Sequence, residues 1–385
     1  MNPARSKLSH DKRGIDYTLL VIVILLTVIG IVTVYSAGSE RSMALYGSPH
    51  AMFLQQLQRA VAGFAILLGL TFVPYPVWKK IAPVALAIAV VSLLLLFADG
   101  FAHTSKGATR WLRLGPIRFQ PSELVRYSMV LFIAAYAHHM GGLMERLEQG
   151  VAIPLAITLP VAVLILIQPD FSTAFMLLVS VSMMLFIAGA KLHHLVMTIT
   201  PVGIASFLIM WLSGYKRERL LTFLSPYQDP TDGGYQILQS WIGLGRGGLT
   251  GVGLGASRQK LFFLPDAHTD FIYSIVGEEL GLFGTLALMF LFLVLIYRGF
   301  RIATRCPDPF GGYLAAGITF TIGIYALANM AIAVGTLPAT GLPLPLISYG
   351  GTSLMLTLAA LGVVLNISKY QVLKPSREKL ARREG

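Results

Sequence analysis

The chain has 385 residues, of which 55% are hydrophobic and only 12% charged, with a formal net charge of +12. A soluble domain carries about 25% charged residues, so this composition excludes an ordinary soluble protein and places most of the chain in lipid. The single cysteine, Cys306, excludes an internal disulfide framework and a thiolate metal cluster.

The apolar runs are continuous rather than alternating, which selects helices over a closed barrel as the way to satisfy backbone polar groups in a bilayer. The first run, "YTLLVIVILLTVIGIVTVYS", is too long for a signal-peptide core and lacks a small-x-small cleavage site close behind it. It reads as an uncleaved first span. In chain order, apolar windows lie near 17–36, 53–74, 81–98, 121–139, 151–168, 172–189, 195–213, 271–297, 311–335 and 347–367. The fold class expected is therefore an all-α polytopic membrane protein with ten transmembrane helices and no internal repeat. It forms one integral membrane domain, 1–385, with an N-terminal tail (1–16), a ten-helix core (17–367) and a basic C-terminal tail (368–385). Two long connections remain, 99–120 and 214–270, the second between helices seven and eight.

An even number of spans puts both termini on one side. With that side cytoplasmic, the inner tails and short loops hold 17 of the 30 Lys and Arg, and the outer short loops hold only Arg41. This is the positive-inside asymmetry. It accounts for the net charge without a nucleic-acid partner. Ten basic residues stay outside: Lys106, Arg110, Arg113 and Arg118 on the first long loop, with Lys216, Arg217, Arg219, Arg246, Arg258 and Lys260 on the second. Two readings stand side by side, a basic surface against anionic membrane lipids and a cradle for a phosphorylated ligand.

Several motifs sit on these loops and rims. "GLGRGGLTGVGLG", Gly243–Gly255, contains G-x-G-x-x-G, but no strand precedes it, so a dinucleotide fingerprint fails its context. It reads either as loop packing or as a close approach of backbone to phosphate between Arg246 and Arg258. "FFLPDAHTDFIYSIVGEELG" holds Asp266, His268, Asp270, Glu278 and Glu279 at the mouth of span eight. Thr269 suits an N-cap and Asp270 a first helical turn. Glu278 and Glu279 lie inside the span, where carboxylates are costly and need partners; Arg59 and Arg126 are the basic residues available within spans. "QPDFST" places Asp170 at the break between spans five and six, as a helix cap or as a second carboxylate facing the same vestibule. "QPSELVR" sets Glu123 and Arg126 one turn apart, the spacing of an ion pair. "TGLPLPLISYGGTS" breaks the chain between spans nine and ten, as happens where backbone lines a cavity or is buried in protein. The pairs His138/His139 and His193/His194 lack the carboxylate partner of a metal motif.

Four segments occur together in order: "KGATRWLRLGPIRFQPSEL", "QPDFSTA", "GVGLGASRQKLFFLPDAHTDFIYSIVGEELG" and "GTLPATGLPLPLISYGGTSL". In these the chain resembles the SEDS family of bacterial cell-wall proteins, the FtsW/RodA/SpoVE group, and "SRQKLFFLPDAHTDF" is similar to its division branch more than to its elongation branch. The resemblance implies a peptidoglycan glycosyltransferase of the bacterial cytoplasmic membrane. Such an enzyme polymerises lipid II, an undecaprenyl-pyrophosphate disaccharide-peptide, at the outer face. It also implies a class B penicillin-binding protein as transpeptidase partner and divisome proteins as further partners. The family's essential aspartate carries over to Asp270, the "GATRW" arginine to Arg110 and the "QPD" aspartate to Asp170. One departure is Arg126, where the family usually has lysine.

Within that reading Asp270 is the general base. The substrate-binding set is Lys106, Arg110, Asp170, Arg217, Arg246, Arg258, Lys260 and His268. Glu123, Arg126, Glu278 and Glu279 are supports, and Asp266 is a loop or substrate-orienting residue. An α-linked donor giving a β-1,4 product is one inversion, needing one base and no covalent intermediate. A divalent cation bridging pyrophosphate and aspartate is compatible with the sequence, but nothing requires it. A lipid II flippase and a non-catalytic scaffold for the transpeptidase are the alternatives. A transporter would gather polar groups near the midplane, and Arg59, Arg126 and Glu278 are the residues that keep it open.

Overall fold

The computed structural model describes residues 14–98, 102–105, 108–114, 117–212, 223 and 233–371. Helices occupy all ten expected windows. They are α1 (Tyr17–Tyr46), α2 (Ala51–Phe72), α3 (Pro76–Leu94), α4 (Pro121–Met140), α5 (Ile153–Ile167), α6 (Phe171–Ile187), α7 (Leu192–Leu212), α9 (Ile272–Arg305), α10 (Pro309–Ala333) and α11 (Gly351–Ser368). A further helix, α8 (Gly233–Gly247), lies in the second long connection. Seven helices among the described residues are long and apolar enough to cross a membrane: α1, α2, α3, α5 with the turn before it, α9, α10 and α11. Helix α6 is apolar but shorter, at 17 residues.

Local signals set several ends. Asp16 caps α1, its Oδ1 accepting from Leu19 N at 3.0 Å, and Gly47 stops it in a left-handed conformation. Helix α1 therefore runs ten residues past its apolar window, because hydropathy marks where lipid ends and not where the helix ends. Prolines 121 and 309 open α4 and α10 at the first turn, where a missing N–H costs nothing. The cap of α9 is Phe271 rather than Thr269, so the helix begins two residues after Asp270. Thr269 instead turns its hydroxyl and its N–H onto Asp266 O, closing a tight turn before the helix.

Helix α9 is not continuous. Gly281 has φ 68° and ψ −164°, splitting it into a short segment that carries Glu278 and Glu279 and a long apolar one. Inside the bundle, α10 and α11 form the centre: 78% and 72% of their apolar windows are buried, against at most 44% in the other five candidate spans. Between Ala333 and Gly351 the chain is non-helical, the break expected from its prolines and glycines.

The all-α expectation needs one correction. The first long connection folds as a three-stranded antiparallel sheet, β1 (Ala102–Ser105), β2 (Ala108–Leu114) and β3 (Ile117–Phe119), in the order β1-β2-β3. The register pairs Leu112 with both Ala102 and Phe119. The period-two spacing of "ATRWLRL" sends Arg110 and Leu112 to one face and Arg113 to the other. Leu112 is buried and Arg113 exposed, so the first face looks onto the helices.

Candidate active site

The non-helical stretch 334–350 is where the four motif segments meet. Ser172 Oγ, from the turn after Asp170, donates to Thr340 O at 2.9 Å. Gln120 N, at the foot of β3, donates to Thr352 Oγ1 at 3.2 Å. Tyr349 N donates to His268 O at 3.0 Å, and Ser348 Oγ donates to Thr269 O at 2.5 Å. Asn329 Nδ2, on buried α10, donates to both Asp270 O and Leu342 O, each at 2.7 Å. Backbone polar groups away from water must all find partners. Here the partners are one another's turns, so the segments are held as one unit.

Asp270 lies at the centre of this clasp and is partly exposed. Its carboxylate sits over Gly341, where an added Cβ would stand 3.5 Å from Oδ2. Its backbone is fixed on two sides, by Asn329 at the carbonyl and by Asp266 O, which accepts from Asp270 N at 3.2 Å. His268 is buried, its ring 5.8 Å from that of Tyr349. Tyr349 is itself oriented by its hydroxyl bond to Gln55 Oε1 (2.6 Å) and by Arg59, whose guanidinium lies 5.0 Å from the ring centre. Gln56 completes the support, donating to Ser348 O at 3.2 Å and accepting from Gly350 N at 3.4 Å. The spacing of Gln55, Gln56 and Arg59 puts them near one end of α2.

Further along the chain, Glu278 and Glu279 have found partners other than Arg59 or Arg126. Glu278 is fully buried and accepts from Arg246 Nη1 (2.6 Å), Arg258 N (3.0 Å), Gln259 N (3.3 Å) and the Ser257 hydroxyl. Glu279 accepts from Ser36 Oγ (2.6 Å) and Ser257 N (3.4 Å), with Lys260 Nζ at 3.9 Å. The glycine-rich segment packs backbone to backbone on the break in α9. Val252 N and Gly253 N donate to Glu278 O and Glu279 O, while Leu282 N and Phe283 N donate to Gly248 O and Leu249 O. A Cβ on Gly281 would lie 2.4 Å from Gly251 N, which is why side chains are missing on both sides of this contact. Of the two readings of these glycines, packing is the one the geometry supports.

Arg110 reaches from β2 to the "QPD" turn, donating to Gln168 O at 3.3 Å and to Pro169 O. Asp170 caps α6, accepting from Thr173 N at 3.2 Å, and is buried. Glu123 and Arg126 pair at 2.5 Å as their spacing anticipates, both buried, with Arg126 against the rings of Tyr127 and Tyr325. Arg258 is exposed, and Arg246 and Lys260 are engaged with the glutamates. Lys106 and Arg217 lie outside the described residues. Sequence reasoning passed over Asn329, Ser348, Tyr349, Gln55 and Gln56. A buried amide in an apolar helix was the available signal, because it is costly there unless bonded.

The family model described as a cell cycle protein, FtsW/RodA/SpoVE, matches residues 17–373. The chain belongs to this family. It is 39% identical over 355 residues to a Geobacter sulfurreducens protein named "Probable peptidoglycan glycosyltransferase FtsW", covering 92% of this chain and 95% of that one. It is 36% identical over 366 residues to the stage V sporulation protein E of Bacillus subtilis, covering 94% and 99%. Among solved structures it resembles a chain described under structural coordination of polymerization and crosslinking by a peptidoglycan synthase complex. That match has a TM-score of 0.77 at 28% identity, over 93% of this chain and 99% of that one. The rod shape determining protein RodA of Thermus thermophilus matches with a TM-score of 0.67 at 26% identity, over 94% and 98%. The fold is thus that of the FtsW/RodA/SpoVE family, and the chain is a multi-pass membrane protein.

Among the described residues no three of His, Cys, Asp and Glu gather into a metal-ligating group. A cation here would be held chiefly by substrate phosphates, in the manner of Mg2+ bound through one or two carboxylates.

Proposed function

We propose that the chain is a peptidoglycan glycosyltransferase that polymerises lipid II into β-1,4 glycan strands at the outer face of the bacterial cytoplasmic membrane, for septal wall synthesis in division. The observation that carries this reading is the fixed, partly exposed Asp270 turn, clasped at the meeting point of all four motif segments. The relatives named as peptidoglycan glycosyltransferases support the reaction class. In this reading ten helices cross the bilayer with both termini in the cytoplasm. Residues 1–385 form one membrane domain with tails 1–16 and 368–385, and the 99–120 and 214–270 connections lie outside.

Lipid II joins an apolar tail, a pyrophosphate and a disaccharide, so its site must lie where lipid meets water. Asp270 accepts the proton of the acceptor 4-hydroxyl as that oxygen attacks the anomeric carbon of the donor. The bond from that carbon to the pyrophosphate oxygen breaks, and its electron pair leaves with the undecaprenyl pyrophosphate. A single displacement inverts the α-linked donor to a β-linked product. Arg110 and Arg258, with Lys106 and Arg217, supply positive charge for the departing pyrophosphate. Asp170, which caps α6 beside the Ser172–Thr340 bond, and His268, held by Tyr349 N, border the Asp270 turn and join the substrate-binding set. The partners are a class B penicillin-binding protein transpeptidase and divisome proteins.

The flippase reading draws on the buried Glu123–Arg126 pair. Arg59 and Glu278, the other residues in its favour, are occupied at Tyr349 and Arg246. The purified chain with its transpeptidase partner in vesicles separates the two. Long glycan from lipid II supports the proposal, and translocation of precursor without polymer overturns it.

A further inference from the structure

The tip of the second long connection presents an apolar surface that the catalytic reading does not use. Leu249, Leu254, Leu261, Phe262 and Phe263 are between 47% and 65% exposed. The backbone holds the last three out. Phe262 has φ 67°, which aromatic residues rarely adopt, inside a turn closed by Leu264 N donating to Gln259 O at 3.0 Å.

This surface is continuous with the apolar flank of a candidate membrane span. Leu282 N and Phe283 N bond to Gly248 O and Leu249 O at 2.9 and 3.2 Å, fusing the loop to the start of the long half of α9. From there Leu282, Phe283, Leu286 and Phe290 are exposed along that helix, as lipid-facing residues are. Lys260 Nζ stands 3.5 Å from Ser36 Oγ, where the first apolar window ends, which ties Leu261–Phe263 to the end of that window. Exposed Arg258 and partly exposed Arg246 flank the apolar tip, as basic residues flank an interfacial segment.

We infer that this tip is an interfacial anchor, with Leu254 and Leu261–Phe263 inserted among the acyl chains of membrane glycerophospholipid. The anchor is rigidly geared to the site, because Arg258 N and Gln259 N bond Glu278 and the chain then runs directly into the Asp266–Asp270 turn. Insertion therefore sets the height of Asp270 against the membrane surface. That consequence rests on the proposed outer-face function, whereas the insertion itself does not.

The test is nitroxide depth measurement on the full chain in phosphatidylethanolamine–phosphatidylglycerol vesicles. The single native cysteine makes it clean: Leu254→Cys, Phe262→Cys and Arg258→Cys are labelled separately in a Cys306→Ser background. At 254 and 262, collision with oxygen should rise and collision with a water-soluble nickel chelate should fall several-fold relative to 258. That corresponds to a depth of about 5–10 Å below the phosphates. Nickel accessibility at 254 and 262 equal to that at 258 overturns the anchor, and so does shielding from both reagents, which would mean a protein cover. Should a cysteine variant fail to fold, Phe262→Trp in a background with the four native tryptophans changed to phenylalanine gives the same reading in vesicles containing brominated acyl chains, with quenching expected and its absence contrary. None of these readouts depends on glycan synthesis, so failure of the anchor and failure of the enzymatic reading are distinguishable.

Discussion

Replacing Glu278 with alanine tests whether the glycine-rich loop and the broken helix act as one rigid unit. The carboxylate is fully buried and takes four donors, from Arg246, Ser257, Arg258 N and Gln259 N. Removing one member of a buried ion pair costs about 3–5 kcal/mol. Here the Arg246 side chain is 32% exposed, so water takes up part of its loss. The two N–H groups and the hydroxyl are less forgiving, at about 1–3 kcal/mol for each buried donor left unpaired. With partial relaxation the total is again about 3–5 kcal/mol, or roughly two to four orders of magnitude in the local opening equilibrium. Hydrogen–deuterium exchange reads this directly at Val252 and Gly253, whose amides bond Glu278 O and Glu279 O at 3.0 and 3.1 Å. Arg246→Ala leaves the other three donors on the carboxylate and should accelerate exchange about tenfold or less, near 1 kcal/mol. Unchanged exchange over 248–260 in Glu278→Ala, or equal loosening by the two variants, would refute a single rigid unit.

Other outcomes follow from the same geometry. Gly247→Ala should destabilise the folded protein, since its Cβ would meet Gly277 O at 1.9 Å, whereas Gly245→Ala, with nothing within 4 Å, should melt near the wild-type temperature. Asn329→Leu removes both amide bonds to Asp270 O and Leu342 O, and should lower kcat for polymerisation by about tenfold or more with the protein still extractable as a folded monodisperse species. Burial pushes the Cys306 thiol up to about 11, so it stays protonated through neutral pH. Its alkylation rate should therefore keep climbing about tenfold per pH unit from pH 8 to 10, instead of levelling near the ordinary thiol range.

The helices were legible because lipid enforces long apolar runs, and each of the ten windows holds one. The Glu123–Arg126 pair was legible from helical spacing alone. The sheet was not, because its strands are short and sit in a loop defined by charge, although the alternation in "ATRWLRL" pointed to it. The partners of Glu278 were beyond reach for a different reason. Arg246 lies 32 residues away across a glycine-rich loop, a separation that no helical or strand spacing signals. Likewise the choice of Asp270 came from motif resemblance, while its holders Asn329, Ser348 and Tyr349 are amides and hydroxyls whose partners are backbone atoms. Backbone acceptors leave no trace in side-chain patterns.

Polymerisation of lipid II by Asp270→Ala, assayed with the transpeptidase partner present, is the most direct test of the central claim. Asp270→Ala should make no glycan strands while it still folds and still binds its partner. Polymerisation at the wild-type rate would contradict that claim.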